Sequence, residues 1–92
     1  MARGESIIIN RKCCYYCGDT NVEKHHCWHG TANRKLAEVD GLWVWLCRDH
    51  HQRLHDRGEH DRELMRTAEY AWMVHTGLGE EAFRLRYGKS VI

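Results

Sequence analysis

Hydrophobic and polar positions alternate most clearly near the middle of the chain. In Leu42-Trp43-Val44-Trp45-Leu46, aliphatic residues alternate with tryptophans, and this period of two is typical of a β-strand. Both faces of that strand are apolar, so we expect other parts of the chain to cover both. Val22 to His26 predicts a second short strand, and Ile7 to Ile9 form a β-prone patch near the N-terminus.

The connection between the two strands, residues 27–41, allows two interpretations. Ala32 to Val39 favours two helical turns ended by Gly41, with Arg34 and Glu38 one helical turn apart as an ion pair. A hairpin turn at Asp40-Gly41 is the alternative. We prefer the helical turns.

Three further helices are predicted after the second strand. Arg48 to Arg57 forms a polar helix closed by Gly58, and Asp61 to His75 forms a longer one. The longer helix carries an apolar stripe of Leu64, Met65, Ala68, Ala71 and Trp72. A last helix, Glu80 to Tyr87, would dock through Phe83 and either Leu85 or Tyr87. The predicted class is therefore α+β, with a small core followed by C-terminal helices.

The length of 92 residues indicates one domain. We divide it into a basic N-terminal arm (1–12), a core (13–57) and a helical extension (58–92). So short a chain buries little apolar surface, and its five cysteines and eight histidines suggest stabilisation by metal. Without a secretory or membrane-spanning segment, we expect a cytoplasmic, reducing location, where such residues favour zinc over disulfides.

The formal net charge is only +1, which is low for a nucleic-acid-binding domain. Any contact with DNA must therefore use a local patch of basic side chains. The candidates are Arg3, Arg11, Lys12, Arg34, Lys35, Arg48 and Arg53. Of these, we predict Arg34, Lys35, Arg48 and Arg53 as the nucleic-acid contacts.

Four residues have the spacing of a closed zinc site. Cys14 and Cys17 are separated by two residues and precede Gly18, which lets the backbone turn sharply, as in a zinc knuckle. Cys47 and His50 form a second pair that leads into a helix. Four tetrahedral nitrogen or sulfur ligands make a structural zinc site. Cys13 would be spare, although it is an alternative to Cys14, and Cys27 would be a small core residue.

The remaining histidines predict a second, open metal site. His51 and His55 lie four residues apart on one face of the predicted helix, whereas His50 is rotated by about 100° from His51. His25 and His26 alternate on their strand, so they point to opposite faces. His25, His51 and His55 would bind a divalent ion (zinc, nickel, manganese or magnesium), and His26 would be left for acid–base chemistry. We interpret His29, His60 and His75 as surface or packing residues.

These motifs resemble the HNH, or ββα-metal, nuclease family, whose core is a strand ending in a histidine pair, a loop, a second strand and a metal-binding helix. His25-His26 is similar to the first element, and Cys47-Arg48-Asp49-His50-His51 with His55 is similar to the second. The resemblance covers residues 12–57, and the small size is similar to that of short HNH-like proteins of phages and prophages. It implies a treble-clef fold, structural zinc, a catalytic divalent ion, His26 as general base, and DNA as substrate.

One position departs from the family pattern. Leu42 stands where the family has an asparagine that orients the loop of the general base. The alternative to a nuclease is therefore a catalytically weak or inactive zinc module that binds a protein or nucleic-acid partner, for example a phage-encoded regulator or inhibitor. A third hypothesis is a homodimer formed through the Asp61–His75 helix. No contact with a membrane is expected.

Overall fold

The structure, a computed structural model, describes residues 5–92, so the predicted basic residue Arg3 lies outside the described part. Strand β1 (Val22–His26) pairs antiparallel with β2 (Trp43–Cys47) in a two-stranded sheet. The register places His25 opposite Val44 and His26 opposite Trp43. Directly paired residues share a face of the sheet, so His25 and His26 lie on opposite faces, as the alternation predicted.

The described residues form four helices beside this sheet, which confirms the α+β class. They are α1 (Thr31–Asp40), α2 (Arg48–Arg57), α3 (Asp61–Thr76) and α4 (Glu80–Tyr87). The connection between the strands is helical, and the hairpin alternative is wrong. Helix α1 ends at Gly41, which adopts the left-handed conformation with φ 78°.

The C-terminal helices pack on the core through aromatic rings. Phe83 is fully buried, and its ring centroid lies 4.9 Å from that of Trp28 and 5.4 Å from that of Trp72. Tyr87 stacks on Phe83 at 4.5 Å, whereas Leu85 is 84% exposed. Of the two alternatives for docking α4, Tyr87 is therefore the correct one.

The apolar stripe of α3 is covered largely within the chain. Leu64, Met65, Ala68 and Trp72 are buried, and Ala71 is half-buried. A second copy is therefore not needed to cover this stripe, although the homodimer itself stays a prediction.

A buried carboxylate attaches the last residues of the chain to α3. Glu69 is fully buried and accepts hydrogen bonds from the Ser90 hydroxyl at 2.6 Å and from the Val91 amide at 2.8 Å. The Arg66 side chain donates to the Val91 carbonyl at 3.0 Å. A buried polar group is tolerated when hydrogen bonds replace its hydration, and these bonds do so here.

The β-prone patch Ile7–Ile9 is not a strand. The Ser6 hydroxyl accepts the amides of Ile8 and Ile9 and donates to the Trp43 carbonyl at 2.6 Å. These side-chain bonds compete with strand pairing and bend the backbone. The segment still follows the outer edge of β2, where the Ile7 amide donates to the Gly41 carbonyl.

The predicted ion pair between Arg34 and Glu38 is also absent among the described residues. Glu38 instead accepts hydrogen bonds from Lys24 and from His26 on β1. The pairing of residues four apart on one helix cannot anticipate this contact, because α1 packs against β1 and brings the Glu38 carboxylate to side chains of that strand.

Within residues 5–92, no helix has the length and apolar character required to span a lipid bilayer.

We predict that Gly41→Ala destabilises the fold by more than the roughly 1–2 kcal/mol expected for an alanine in the left-handed region. An added Cβ would collide with the Glu5 carbonyl oxygen and press on the Ile7 amide. Urea unfolding would measure the change in the free energy of unfolding.

Gly58→Ala is the matched control, because Gly58 has φ 69° and a Cβ there would meet no atom within 4 Å. Equal losses in the two variants would show that the contact between Gly41 and the N-terminal segment contributes nothing.

Candidate metal centres

The first cluster contains the side chains of Cys14, Cys17, Cys47 and His50. Their ligand atoms all lie within 4.8 Å of one another. His50 Nδ1 is 3.6 Å from the Cys14 sulfur and 3.1 Å from the Cys47 sulfur, and the Cys17 and Cys47 sulfurs are 3.8 Å apart. Zinc–ligand distances in a tetrahedron imply edges of about 3.8 Å between sulfurs and about 3.5 Å between sulfur and nitrogen. This cluster could therefore coordinate a metal such as zinc.

Local backbone structure brings the four ligands together. Gly18, at φ 80°, donates its amide to the Cys14 carbonyl and closes the turn that holds Cys14 and Cys17. Cys47 is the last residue of β2 and the N-cap of α2, where its sulfur accepts the His50 amide. Cys13 is not part of the cluster, so the geometry favours Cys14 as the ligand.

The protonation of Cys14 also suits metal binding. Burial raises the pKa of this thiol, but backbone hydrogen bonds involving Cys47, Cys17 and Tyr16 outweigh burial and lower it to about 6. A thiolate is the form that binds metal, so less free energy is spent on losing a proton.

The second cluster joins β1 to α2. The ligand atoms of His25, His51 and His55 lie within 4.8 Å of one another, and the Nε2 atoms of His51 and His55 are 3.0 Å apart. The ring centroid of His25 lies 5.3 Å from that of His51 and 6.1 Å from that of His55. Three imidazoles that converge in this way leave one or more coordination positions open, as in catalytic metal sites.

His25 is the buried member of this cluster. Its Nε2 atom is buried and has no hydrogen-bond partner among the described residues. Burial, with the neighbouring His51, His29 and His55, lowers the pKa of His25 to about 4. A neutral imidazole with an unpaired buried nitrogen is the form that a metal ion requires.

Glu23 orients one of the three rings. Its carboxylate lies 2.7 Å from His51 Nδ1, which leaves His51 Nε2 facing His55. The hydrogen bond with His51 is the main cause that holds the pKa of Glu23 below its usual value. Such a carboxylate–histidine pair selects the ring tautomer that presents the other nitrogen to a metal.

A cavity of about 370 Å³ extends from this cluster to His26. The three histidines, His26 and Arg34 are among its lining residues. His26 Nε2 lies 2.8 Å from the Glu38 carboxylate, which also pairs with Lys24. The structure therefore brings the predicted base and the predicted ligands to one cavity.

His29 is exposed, as expected for a surface residue, but sequence analysis did not place it beside the histidine cluster. It lines the same cavity, and its ring centroid is 6.1 Å from that of His25. Its partner is Asp61, with His29 Nε2 2.6 Å from the carboxylate. The only available signal was its position four residues after His25, because Asp61 is distant in sequence.

The start of α3 contacts one residue beside each cluster. Asp61 holds His29 beside the histidine cluster, and Glu63 accepts a hydrogen bond from the Tyr16 hydroxyl at 2.7 Å. Tyr16 lies between two cysteine ligands and stacks on His60 at 4.1 Å. His60 therefore also has a packing contact, next to the cysteine cluster.

The four predicted DNA-contact residues differ in surroundings. Arg34 and Lys35 are exposed on α1, and both line a neighbouring cavity that also contains His26. Arg48 is exposed at the start of α2, and Arg53 pairs with Asp49 at 2.6 Å. Arg34 and Lys35 are therefore better placed beside His26 than Arg53 is.

The fold and these two clusters define a small α+β protein whose side chains form two groups that could hold metal ions. No protein-family model matches the chain, and neither a curated protein nor a solved structure matches it.

We predict that Cys14→Ser abolishes metal binding at the cysteine cluster. The variant would then lose a large part of the roughly 10 kcal/mol that structural zinc contributes in small modules. Zinc content after dialysis and urea unfolding would measure both effects. Cys13→Ser is the control and should behave as wild type; the ligand assignment is wrong if Cys13→Ser loses zinc and Cys14→Ser keeps it.

We predict that Glu23→Gln weakens metal binding at the histidine cluster by about 10- to 100-fold, the usual effect of removing such a carboxylate. Cobalt titration would measure this, since cobalt bound to thiolates absorbs differently from cobalt bound to imidazoles. The cysteine cluster should be unaffected. Asp49→Asn removes an exposed carboxylate of α2 that pairs with Arg53 and should leave both affinities unchanged; an equal loss there would point to general electrostatics.

Proposed function

We propose that this chain is a metal-dependent endonuclease of the HNH type that hydrolyses phosphodiester bonds in DNA. The cysteine cluster would hold structural zinc in a treble-clef arrangement, and the histidine cluster would hold the catalytic ion. The observation that carries this proposal is the shared cavity, which His26 lines together with three converging imidazoles. The Glu38 carboxylate contacts His26 Nε2 from outside this cavity.

The donor set of the histidine cluster fits a divalent transition metal. Imidazole nitrogens suit zinc, nickel and similar ions, and the unpaired Nε2 of His25 would gain a partner. A divalent ion bound there would stabilise the charge that develops on the phosphodiester and on its leaving oxygen. His25, His51 and His55 would hold the ion, and Glu23 would keep His51 in the correct orientation.

His26 would act as the general base. When Nε2–H donates to Glu38, the lone pair of the neutral ring is on Nδ1, where it can accept a proton from water. As that proton moves to Nδ1, the water oxygen bonds to phosphorus and the bond to the leaving oxygen breaks. Glu38 would stabilise the resulting imidazolium. Its hydrogen bond with His26 is the main cause that lowers the carboxyl pKa, so Glu38 is charged at neutral pH.

Glu38 would replace the asparagine that is missing at position 42. Leu42 is fully buried, and its backbone bonds to Ala37 and Cys27, so its side chain belongs to the core. In this chain the carboxylate on α1, rather than an asparagine, would hold the base in place.

The buried Leu42 also favours the second candidate, a zinc module that binds a partner without cutting DNA. In that case the cysteine cluster would stabilise the fold, and the histidine cluster would have no role in hydrolysis. The same experiment separates the two candidates.

We predict that wild-type protein cuts plasmid DNA with at least one of Mg²⁺, Mn²⁺, Ni²⁺ and Zn²⁺. His26→Ala should reduce the rate by about 10²- to 10⁴-fold, the usual contribution of a general base. Glu38→Gln should reduce it less and shift its pH dependence, because the amide holds the ring but cannot stabilise its charge.

Glu80→Gln is the matched control, since this exposed carboxylate on α4 pairs only with Arg84 among the described residues. Retained cobalt binding at both clusters would show that His26→Ala is folded. Absence of cutting of both plasmid and single-stranded DNA by wild type with every ion would refute the nuclease and leave the binding module. Equal cutting by wild type and His26→Ala would show that His26 is not the base.

A further inference from the structure

A second groove, of about 530 Å³, lies on the face of the sheet opposite α2. Trp43 and Trp45 of β2 form its floor, and their strand partners His26 and Lys24 share that face. The N-terminal segment that follows the outer edge of β2 forms one wall and contributes Arg11 and Lys12. Neither metal cluster uses these basic and aromatic side chains.

The groove combines aromatic faces with cations. Lys12 Nζ lies 5.2 Å from the ring centroid of Trp45, and Lys24 Nζ lies 4.2 Å from that of Trp43. Trp45 is half-buried, whereas the other three tryptophans are buried, so Trp45 is the most accessible. Aromatic rings between flexible cations are the combination that binds unpaired nucleotides, because every base has a face that can stack.

The groove is connected to the proposed catalytic centre. Lys24 lines both this groove and the cavity of the histidine cluster. Glu38, the partner of His26, lines both the groove and the neighbouring cavity that contains Arg34 and Lys35. A strand with a phosphate at His26 could therefore continue over Lys24 towards Trp45.

We propose that this groove binds unpaired DNA next to the scissile phosphate, with a base stacked on Trp45 and phosphates beside Arg11 and Lys12. The inference rests on the proposed nuclease function and specifies its substrate as DNA with a single-stranded segment. Inside a duplex, each base face is already covered by its neighbours, so away from the ends the indole can stack only on a base that is unpaired.

The charge of the chain agrees with this choice. Binding to duplex DNA without sequence preference depends on neutralising many phosphates, and the formal net charge here is only +1. In this groove Glu5 and Glu38 offset part of the positive charge. Stacking does not depend on charge, so it can supply the affinity that the phosphate contacts lack.

Lys12 does not prevent a base from reaching the indole. The Lys12 side chain is exposed, and a solvated cation over a half-buried ring is a weaker contact than a stacked base. On binding, Lys12 would move from the ring to a phosphate, and the base would take its place.

The test measures binding rather than cutting, in zinc-loaded full-length protein carrying His26→Ala. Fluorescence anisotropy would compare a labelled single strand of about 12 nucleotides, within the usual site size, with its duplex. We expect tighter binding to the single strand and quenching of tryptophan fluorescence. Trp45→Leu should weaken single-strand binding by about five- to 100-fold, abolish the quenching and leave duplex binding unchanged.

Tyr70→Leu is the matched control, because it removes an exposed aromatic ring from α3, outside the groove, and should change nothing. Zinc content and circular dichroism would establish that Trp45→Leu is folded. Arg11→Gln combined with Lys12→Gln leaves the ring intact; it should weaken single-strand binding and reduce its salt dependence, while quenching persists at saturation.

The proposed binding groove and the proposed nuclease activity can be refuted independently of each other. Equal affinity of the His26→Ala protein for single strand and duplex, or unchanged single-strand binding by folded Trp45→Leu, would overturn the groove even if wild type cuts plasmid. Preferential, Trp45-dependent binding of the single strand would support the groove even if wild type cuts no DNA.

Discussion

The Cys47 thiol lies at the point where β2 becomes α2, and the rest of the site depends on this junction. Its sulfur caps the helix by accepting the His50 amide and lies within ligand distance of His50 Nδ1 and of the Cys17 sulfur. One side chain therefore sets where the strand ends, where the helix begins and how the upstream cysteines attach. The helix then leaves the sheet in a direction that presents its next turn to β1.

Because side chains alternate along β1, its two histidines lie on opposite faces of the sheet. His25 faces α2 and meets His51 and His55, whereas His26 faces α1 and meets Glu38. A shift of one residue in the strand register would exchange these two histidines. The contact of Glu23 with His51 on the α2 face and the contact of Lys24 with Glu38 on the other face oppose such a shift, because both would be lost. The polar contacts of β1 thus help to keep its two histidines on their respective faces.

Much of this arrangement was predictable because its determinants are local. The period of two in β2, the glycines after helices and the spacing of Cys14 with Cys17 each act over a few residues, and the helices and strands lie within one or two residues of where we expected them. The grouping of the four cysteine and histidine ligands, and of His25 with His51 and His55, also followed from spacing.

The features that sequence analysis missed are contacts between distant residues. Glu38 was assigned to Arg34 on its own helix but meets Lys24 and His26 across the strand. His29 reaches Asp61, which is brought near only when α3 docks. The Ile7–Ile9 patch has strand propensity, but the Ser6 hydroxyl captures the amides of Ile8 and Ile9, and propensity carries no information about that competition.

Helix α2 carries ligands of both clusters, with His50 on one side and His51 and His55 on the other. Any ordering of α2 by an ion at one cluster reduces the conformational entropy that binding at the other must still remove. If both clusters hold ions, binding at one would favour binding at the other through α2, and this coupling would be reciprocal. In a scaffold with so small a core, the occupancy of the histidine cluster would in this way respond to the occupancy of the cysteine cluster.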